Sequence, residues 1–363
     1  MRMVEWIKLG DIGEVCMCKR IMKEQTSDHG DVPFFKIGTF GAEPDSYISK
    51  ALYNEYKSKY SYPKKGDILL SAAGTIGRTV IFDDKDSYFQ DSNIVWIDNN
   101  EKTVLNKYLF YYYQIVNWKT DGGTIKRLYN YNLKNILIAI PSKKDQHWIV
   151  GILDTFTSSI DNLKQQIAQR RKQYEYYRDQ LLDLERKEGV EMRMLGEICD
   201  NLDYMRKPIT SSKRKAGIYP YYGASGIVDY VEGFIFDGEY LLVSEDGANL
   251  VARTYPIAFS IEGKNWVNNH AHVLAFESKI TQKFVEIYLN MIDLSPWING
   301  AAQPKLNQAN LNTIIIPVPS LSEQQRIVDI LDKFEASIQN LEAQLSQREK
   351  QYEYYRNKLL TFE

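Results

Sequence analysis

Two stretches of the chain carry the same spacing of apolar side chains. In the first, Ile149, Leu153, Phe156, Ile160, Leu163, Ile167, Arg170, Tyr174, Tyr177, Leu181 and Leu184 follow in alternating steps of four and three. In the second, Ile327, Leu331, Phe334, Ile338, Leu341, Leu345, Arg348, Tyr352, Tyr355 and Leu359 repeat the pattern. A seam of that period belongs to long helices that pair as a coiled coil. Each predicted helix runs about 40 residues, or about 60 Å. Asp145 and Ser322-Glu323 supply helix-start signals, shortly after prolines that stop a preceding strand.

The two stretches are copies. PSKKDQHWIVGILDTFTSSIDNLKQQIAQRRKQYEYYRDQLL from Pro141 aligns without a gap with PSLSEQQRIVDILDKFEASIQNLEAQLSQREKQYEYYRNKLL from Pro319, and 25 of 42 positions are identical. This is an internal duplication. Within its QYEYYR core, Tyr174, Tyr177, Tyr352 and Tyr355 fall on the seam and read as packing residues. Tyr176 and Tyr354 fall off it, point outward and are candidate contacts for another protein. Arg170 and Arg348 share one seam position. There a charge either fixes register at a cost in stability or lays its stem along the seam with its head at the edge.

Outside the helices the pattern shortens to that of strands. The blocks open alike, with WIKLGDIGEV from Trp6 and MRMLGEICDN from Met192. They close alike, with NLKNILIAIPS from Asn132 and NLNTIIIPVPS from Asn310. Between those ends they share far less. GDILLSAAGTIGRTVIF and GEYLLVSEDGANLVART each predict a short apolar strand, a glycine turn and another strand. A helical stretch follows in each, around Asn106–Trp118 and Thr281–Ile292. The predicted class is α/β (α+β), with strand-rich domains over residues 1–142 and 188–320 alternating with helices over 143–187 and 321–363. Two like helices suit a pseudo-twofold pairing, and two unlike blocks suit two different targets.

Composition adds limits. With 44% hydrophobic and 25% charged residues the chain reads as an ordinary soluble protein. No apolar run has the length of a membrane span, and the N-terminus lacks a signal peptide's apolar core. Cys16, Cys18 and Cys199 are too few and too scattered for a disulfide framework, so thiols in a cytoplasm are expected. A net charge of −2 argues against a stand-alone nonspecific nucleic-acid binder but leaves room for local basic surfaces.

The whole chain resembles the specificity subunit of a type I restriction-modification system. The stretches that carry the resemblance are KKGDILLSAAGTIGRT from Lys64, YPYYGASGIVDYVEGFIFDGEYLLVSEDGANL from Tyr219, NNHAHVLAF from Asn268 and QQRIVDILDKFEASI in the second helix. The resemblance implies a subunit without a catalytic site, whose antiparallel helices dock two methylation subunits, with restriction subunits joining that core. Each domain would read one half of an asymmetric bipartite site in double-stranded DNA, and the helices would set the gap. No cofactor is expected on this chain, whereas S-adenosylmethionine, ATP and Mg are expected on the partner subunits. No membrane partner is implied.

The silences agree with that reading. No two prolines are adjacent, so the Asn-Pro-Pro-Tyr or Asp-Pro-Pro-Tyr of adenine methylation is missing, and so is a phosphate-binding G-x-x-x-x-G-K-[ST]. Asp246 with Glu262-Gly-Lys264 loosely mimics a metal-nuclease pattern, and a chance match explains it better. His270-Ala-His272 places two imidazoles on one strand face, where without further ligands a hydrogen-bonded structural pair is expected and no metal site.

Phosphate contacts call for Lys, Arg and backbone amides, and base reading for Arg, Lys, Asn, Gln and Ser. The run YMRKPITSSKRKAG supplies Arg206, Lys207, Lys213, Arg214 and Lys215 without an acid. GGTIKRLYNYN from Gly122 supplies Lys126, Arg127 and Tyr129, and the equivalent GAAQPKLNQAN supplies Gln303 and Lys305. Further candidate DNA contacts are Lys36, Thr39, Thr75, Arg78, Tyr222 and Ser225. A solvated loop for the cations and core packing for the tyrosines are the competing readings. A second function class stays open, a coiled-coil scaffold whose domains bind protein ligands. An autonomous nuclease would rest on the loose acid-lysine match alone.

Overall fold

The computed structural model describes residues 4–120, 126–300 and 303–362. Gly122, Gly123, Thr124 and Ile125 of the first candidate loop, and Ala301 and Ala302 of the second, lie outside the described residues. Contacts divide the chain into two units, Met1–Lys164 with Ala343–Glu363, and Gln165–Glu342. The boundaries therefore fall inside the helices, whereas sequence boundaries fall at their ends. The physical reason is that each end of a long helix buries its seam against the nearer block.

In the first unit the opening strand Val4–Lys8 pairs antiparallel with the closing strand Leu137–Pro141, Trp6 opposite Ala139. The opening and closing stretches that each block shares with the other are thus each other's partners. Ile68–Ser71, buried throughout, lies between Thr79–Ile81 and Ile94–Ile97 in a four-stranded sheet completed by Val15–Cys16. A three-stranded sheet joins Tyr47–Ile48, Val32–Phe35 and Tyr88–Phe89. The predicted helical stretch is shorter than expected, Asn106–Tyr112. The chain then turns back, and Trp118 fills the space at Gly77. A Cβ on Gly77 would come within 2.3 Å of the Trp118 indole nitrogen, and the residue sits at φ +90, a conformation that favours glycine.

The second unit pairs Glu191–Met194 with Ile315–Val318 in the same way. Its six-stranded sheet runs in the order Asp200–Asn201, Ala271–Ala275, Phe236–Ser244, Ala258–Val267, Ala216–Gly223, Gly226–Val231. The helix Lys279–Met291, capped by the Ser278 hydroxyl accepting from the Thr281 N–H, packs on strand Ala258–Val267. One sequence expectation changes here. Asn249–Ala252 is a helical turn and not the return strand. Asn249 holds it by bonding the Tyr255 N–H at 2.9 Å, and Arg253 ends it at φ 52. The strand resumes at Ala258.

The long helices run Lys143–Leu182 and Leu321–Leu360, as long as their seams predict, with Leu184 just beyond the first. Their caps are Ser142, whose hydroxyl accepts from the Asp145 N–H, and Ser320, whose hydroxyl accepts from the Glu323 N–H. Ser142 lies three residues ahead of Asp145, and Ser320 two ahead of Ser322, the start signals read from the sequence. In the first unit Ile149, Leu153 and Leu360 are buried with the block, and the Tyr111 hydroxyl donates to Asp154 at 2.5 Å. In the second, Ile327, Val328 and Leu331 do the same.

Contacts between the helices run antiparallel within each unit, and they come in exchanged pairs. In the first unit Phe156 stacks on Tyr355 at 5.4 Å, Arg348 lies over Phe156 at 5.7 Å and Lys164 pairs with Glu349. In the second, Phe334 stacks on Tyr177 at 5.4 Å, Arg170 lies over Phe334 at 5.7 Å and Arg171 pairs with Glu342. The seam arginines therefore spend their charge on an aromatic face of the opposite helix. Ile160, Leu163 and Ile167 are buried, and Ile338, Leu341 and Leu345 are half-buried. Tyr174 donates to Glu335 and Tyr352 to Gln114. Tyr177 and Tyr355 are more open than a seam position implies, because each covers its phenylalanine from the flank.

Candidate nucleic-acid interface

The strand-to-turn segments and the loops before the closing strands meet in the same way in both units. In the first, Ala73 bridges Arg127 and the Leu128 N–H donates to the Ala72 carbonyl at 2.8 Å. In the second, Asp246 bridges Lys305 and the Leu306 N–H donates to the Glu245 carbonyl at 2.8 Å. Arg127 and Lys305 are structural equivalents, as the matched loops in the sequence imply. What surrounds them differs. The Arg127 guanidinium donates to the Asn93 amide oxygen at 2.8 Å, and among the described residues no carboxylate pairs with it. The Lys305 ammonium pairs with Glu245 at 3.1 Å.

The turn beside Arg127 is built by Gly74 and Gly77 at positive φ. Ser71 braces it, donating to the Thr75 carbonyl and accepting from the Arg78 N–H. Thr75 is exposed at its tip. Arg78 donates to the Phe40 carbonyl at 2.7 Å and so ties the turn to a neighbouring loop. In that loop Thr39 bonds the Lys36 backbone, and Lys36 pairs with Asp45 at 2.8 Å. Lys36 and Arg127 line one cleft of about 490 Å³. Lys126 and Tyr129 flank Arg127 and are exposed.

In the second unit the basic run divides. Arg206 is a correction to the sequence reading, because its guanidinium is almost buried and fully engaged. It donates to Glu245 at 2.6 Å and to the Ala271 carbonyl at 2.8 Å, and pairs with Asp203 at 3.2 Å. Arg214 is half committed, reaching Asp229 at 3.2 Å and the Ile209 carbonyl at 3.0 Å, above the Tyr221 ring. Lys207, Lys213 and Lys215 remain exposed, Lys215 near Glu232. Tyr222 is half-buried against Phe259, which favours packing for it. Ser225 is exposed at the tip of the hairpin, and Gln303 is exposed beside Lys305.

Asp203, Glu245 and His272 are, among the described residues, the one group of acids and histidines compact enough to hold a metal ion. Its donor set is already spent. Arg206 takes both carboxylates, and the His272 Nε2 donates to the Leu306 carbonyl at 2.7 Å. His270 and His272 are hydrogen-bonded to separate acids, Asp246 and Asp203, and not to each other. The nuclease-like match also comes apart. Glu262 lies opposite Glu239 on strand Phe236–Ser244, and Asp246 follows that strand's far end, roughly 20 Å along at strand rise.

A family model described as the type I restriction modification DNA specificity domain matches residues 1–170 and 187–349. The chain belongs to this family of specificity subunits. Its role is DNA-sequence specificity through two recognition domains, as a non-catalytic component of the restriction-modification complex. Among curated relatives of the specificity subunit, a candidate type I specificity subunit of Haemophilus influenzae is 64% identical over 182 residues, 49% of this chain and 47% of that one. A type I restriction enzyme specificity subunit of Escherichia coli is 29% identical over 395 residues, 99% of this chain and 94% of that one. In fold, the S subunit from M. genitalium matches with a TM-score of 0.66 at 17% identity over 100% of this chain and 97% of that one. A chain from a structure of type I complex assembly and conformational transition matches at 0.60 and 15%, over 98% and 96%. No helix among the described residues is long and apolar enough to cross a membrane.

The specificity subunit's second domain therefore rests on an ionic cluster at the base of its candidate DNA loop, where the first domain has Ala72. Burial pushes the carboxyls of Asp203 and Glu245 up, but His272 on the one and Arg206 on the other outweigh it, and both lie below their ordinary values. A depressed folded-state value means that the contribution to stability is full above the unfolded value and is lost as pH falls through the folded one. The second unit is expected to lose stability below about pH 4.5, where unfolded glutamates begin to protonate. Glu245→Gln should flatten that acid limb in denaturation curves taken between pH 7 and 3. An unchanged limb would remove the cluster as its cause.

Sequence reasoning missed the residues that share the first-domain cleft with Lys36 and Arg127, namely Arg20, Lys23, Gln90 and Asn93. They come from two separate stretches, and only tertiary folding brings these to Lys36 and Arg127.

Proposed function

We propose that each domain reads one half of an asymmetric bipartite site in double-stranded DNA. The observation that supports this is the shared bridge bearing Arg127 in one unit and Lys305 in the other, one frame presenting two chemistries. In this reading the paired helices set the gap between half-sites and dock two methylation subunits. Tyr176 and Tyr354, 58% exposed and equivalent, offer both copies of that partner the same aromatic. Restriction subunits join this core, and S-adenosylmethionine, ATP and Mg belong to the partners. The complex works in the cytoplasm. A relation in fold to a chain from a study of type I complex assembly supports the partners.

The cations have separable tasks. Lys213 is exposed on a turn and suits a phosphate, so Lys213→Ala should weaken binding alike on all sequences and lower the salt slope by about one. Arg127→Ala should lose about 1–3 kcal/mol of discrimination at one position. Both variants should assemble normally, since neither cation is buried. A variant that fails to assemble would mark its residue as structural.

The deciding test is methylome sequencing of a host that expresses this chain with its methylation subunit. A new bipartite motif, lost when this chain is omitted, establishes the reading. No new motif from an intact complex would favour the scaffold reading and its protein ligands.

A further inference from the structure

Four cations converge on the cleft of the first unit: Arg20, Lys23, Lys36 and Arg127. Asp91 is the one carboxylate among its described lining residues, and it is spent on Arg20. The Arg20 Nε donates to Asp91 Oδ2 at 2.9 Å, with the Asp91 side chain 15% exposed and that of Arg20 66% exposed. So open an ion pair adds little to stability. Its effect is to aim. With Nε engaged, the two terminal nitrogens, which have no other protein partner among the described residues, form a fork that this bond orients away from Asp91. Two parallel donors match the O6 and N7 acceptors of a guanine edge in the major groove. A phosphate fits worse, because its charge would approach within a few ångströms of the Asp91 carboxylate.

We infer that Arg20, aimed by Asp91, is a specificity-determining residue that reads a guanine in the half-site of the first domain. Arg20 touches the base, and Asp91 is a positioning residue that acts through it. Gln90 and Asn93 line the same cleft. Gln90 is pinned by its oxygen to the Ile37 N–H at 2.9 Å, and the Asn93 oxygen accepts from Arg127, so both amides keep their nitrogens as donors toward neighbouring bases. The inference rests on the bipartite-reading function proposed above and adds the base and the residue to it.

The test uses the complex with the methylation subunit, with methylomes recorded for the intact chain and for Arg20→Ala, Arg20→Lys and Asp91→Asn. The expected result is one guanine position, in one half-site only, that relaxes by about tenfold or more in Arg20→Ala. Arg20→Lys should relax it as well, since an ammonium lacks the fork. Asp91→Asn, which keeps the shape and removes the charge that aims Arg20, should relax the same position less. An unchanged motif with normal assembly overturns the inference. So does a motif unchanged in sequence but bound more weakly with a lower salt slope, which would make Arg20 a phosphate contact. If the intact chain produces no bipartite motif, the function reading itself fails and takes this inference with it.

Discussion

Arg206→Ala is expected to destabilise the second unit by about 3–5 kcal/mol, because it removes the cation that bridges two buried carboxylates and leaves only Lys305 on Glu245 and His272 on Asp203. Asp203 and Glu245 have side chains only 6% and 11% exposed, and the Arg206 side chain is 13% exposed. The loss should appear as a fall in Tm of about 6–20 °C for a unit of this size, and as a lower denaturant midpoint at unchanged slope. The damage should spread along the cluster. His272 and Glu245 both hold the segment around Leu306, so a loosened cluster also loosens Lys305. Arg206→Met should recover part of the stability by filling the volume, yet it does not restore the ion pairs that Arg206 makes with Asp203 and Glu245. A variant with wild-type Tm and weakened DNA binding would restore Arg206 to the DNA-contact role that its place in a basic run implies.

Lengthening both long helices by four residues is expected to abolish modification at the natural site and to create modification at a site with the same halves and a wider gap. Four helical residues add about 6 Å, and DNA rises about 3.4 Å per base pair, so the tolerated gap should grow by about two base pairs. The insertion points follow from the division of the chain, between Lys164 and Gln165 and between Glu342 and Ala343. Insertion at both leaves the contacts of each unit intact, including Phe156–Tyr355 in one and Phe334–Tyr177 in the other. Insertion in the first helix alone should impair assembly as well. Methylome sequencing reads the gap directly. A doubled insertion that changes the bases of a half-site and not its spacing would sink the idea of the helices as a ruler.

The helices were legible in the sequence because their information is local. The seam repeats within each stretch, and the duplication marks both copies. The correspondence of Arg127 with Lys305 was legible too, since each sits between a glycine and a recognisable closing strand. Arg206 shows what was not. Its charge looked free because one of the acids that consume it, Glu245, lies 39 residues away. Arg20 and Asp91 are 71 residues apart, and nothing in either stretch announces the other. The helical turn Asn249–Ala252 was missed for a smaller reason. Leu250 and Val251 suit a strand by propensity, and the bond from Asn249 to the Tyr255 backbone outweighs that preference.

The units differ in how they are threaded. Gln165–Glu342 is one continuous run, whereas the other unit needs Ala343–Glu363 to complete it. On a ribosome the N-terminal block therefore emerges first yet is finished last. Its core lacks Leu360 and the packing of Tyr352 and Leu359 until those residues clear the exit tunnel. The half made second closes earlier, the reverse of the usual N-to-C order. A stop placed just after Glu342 would spare the younger half and leave the older one open.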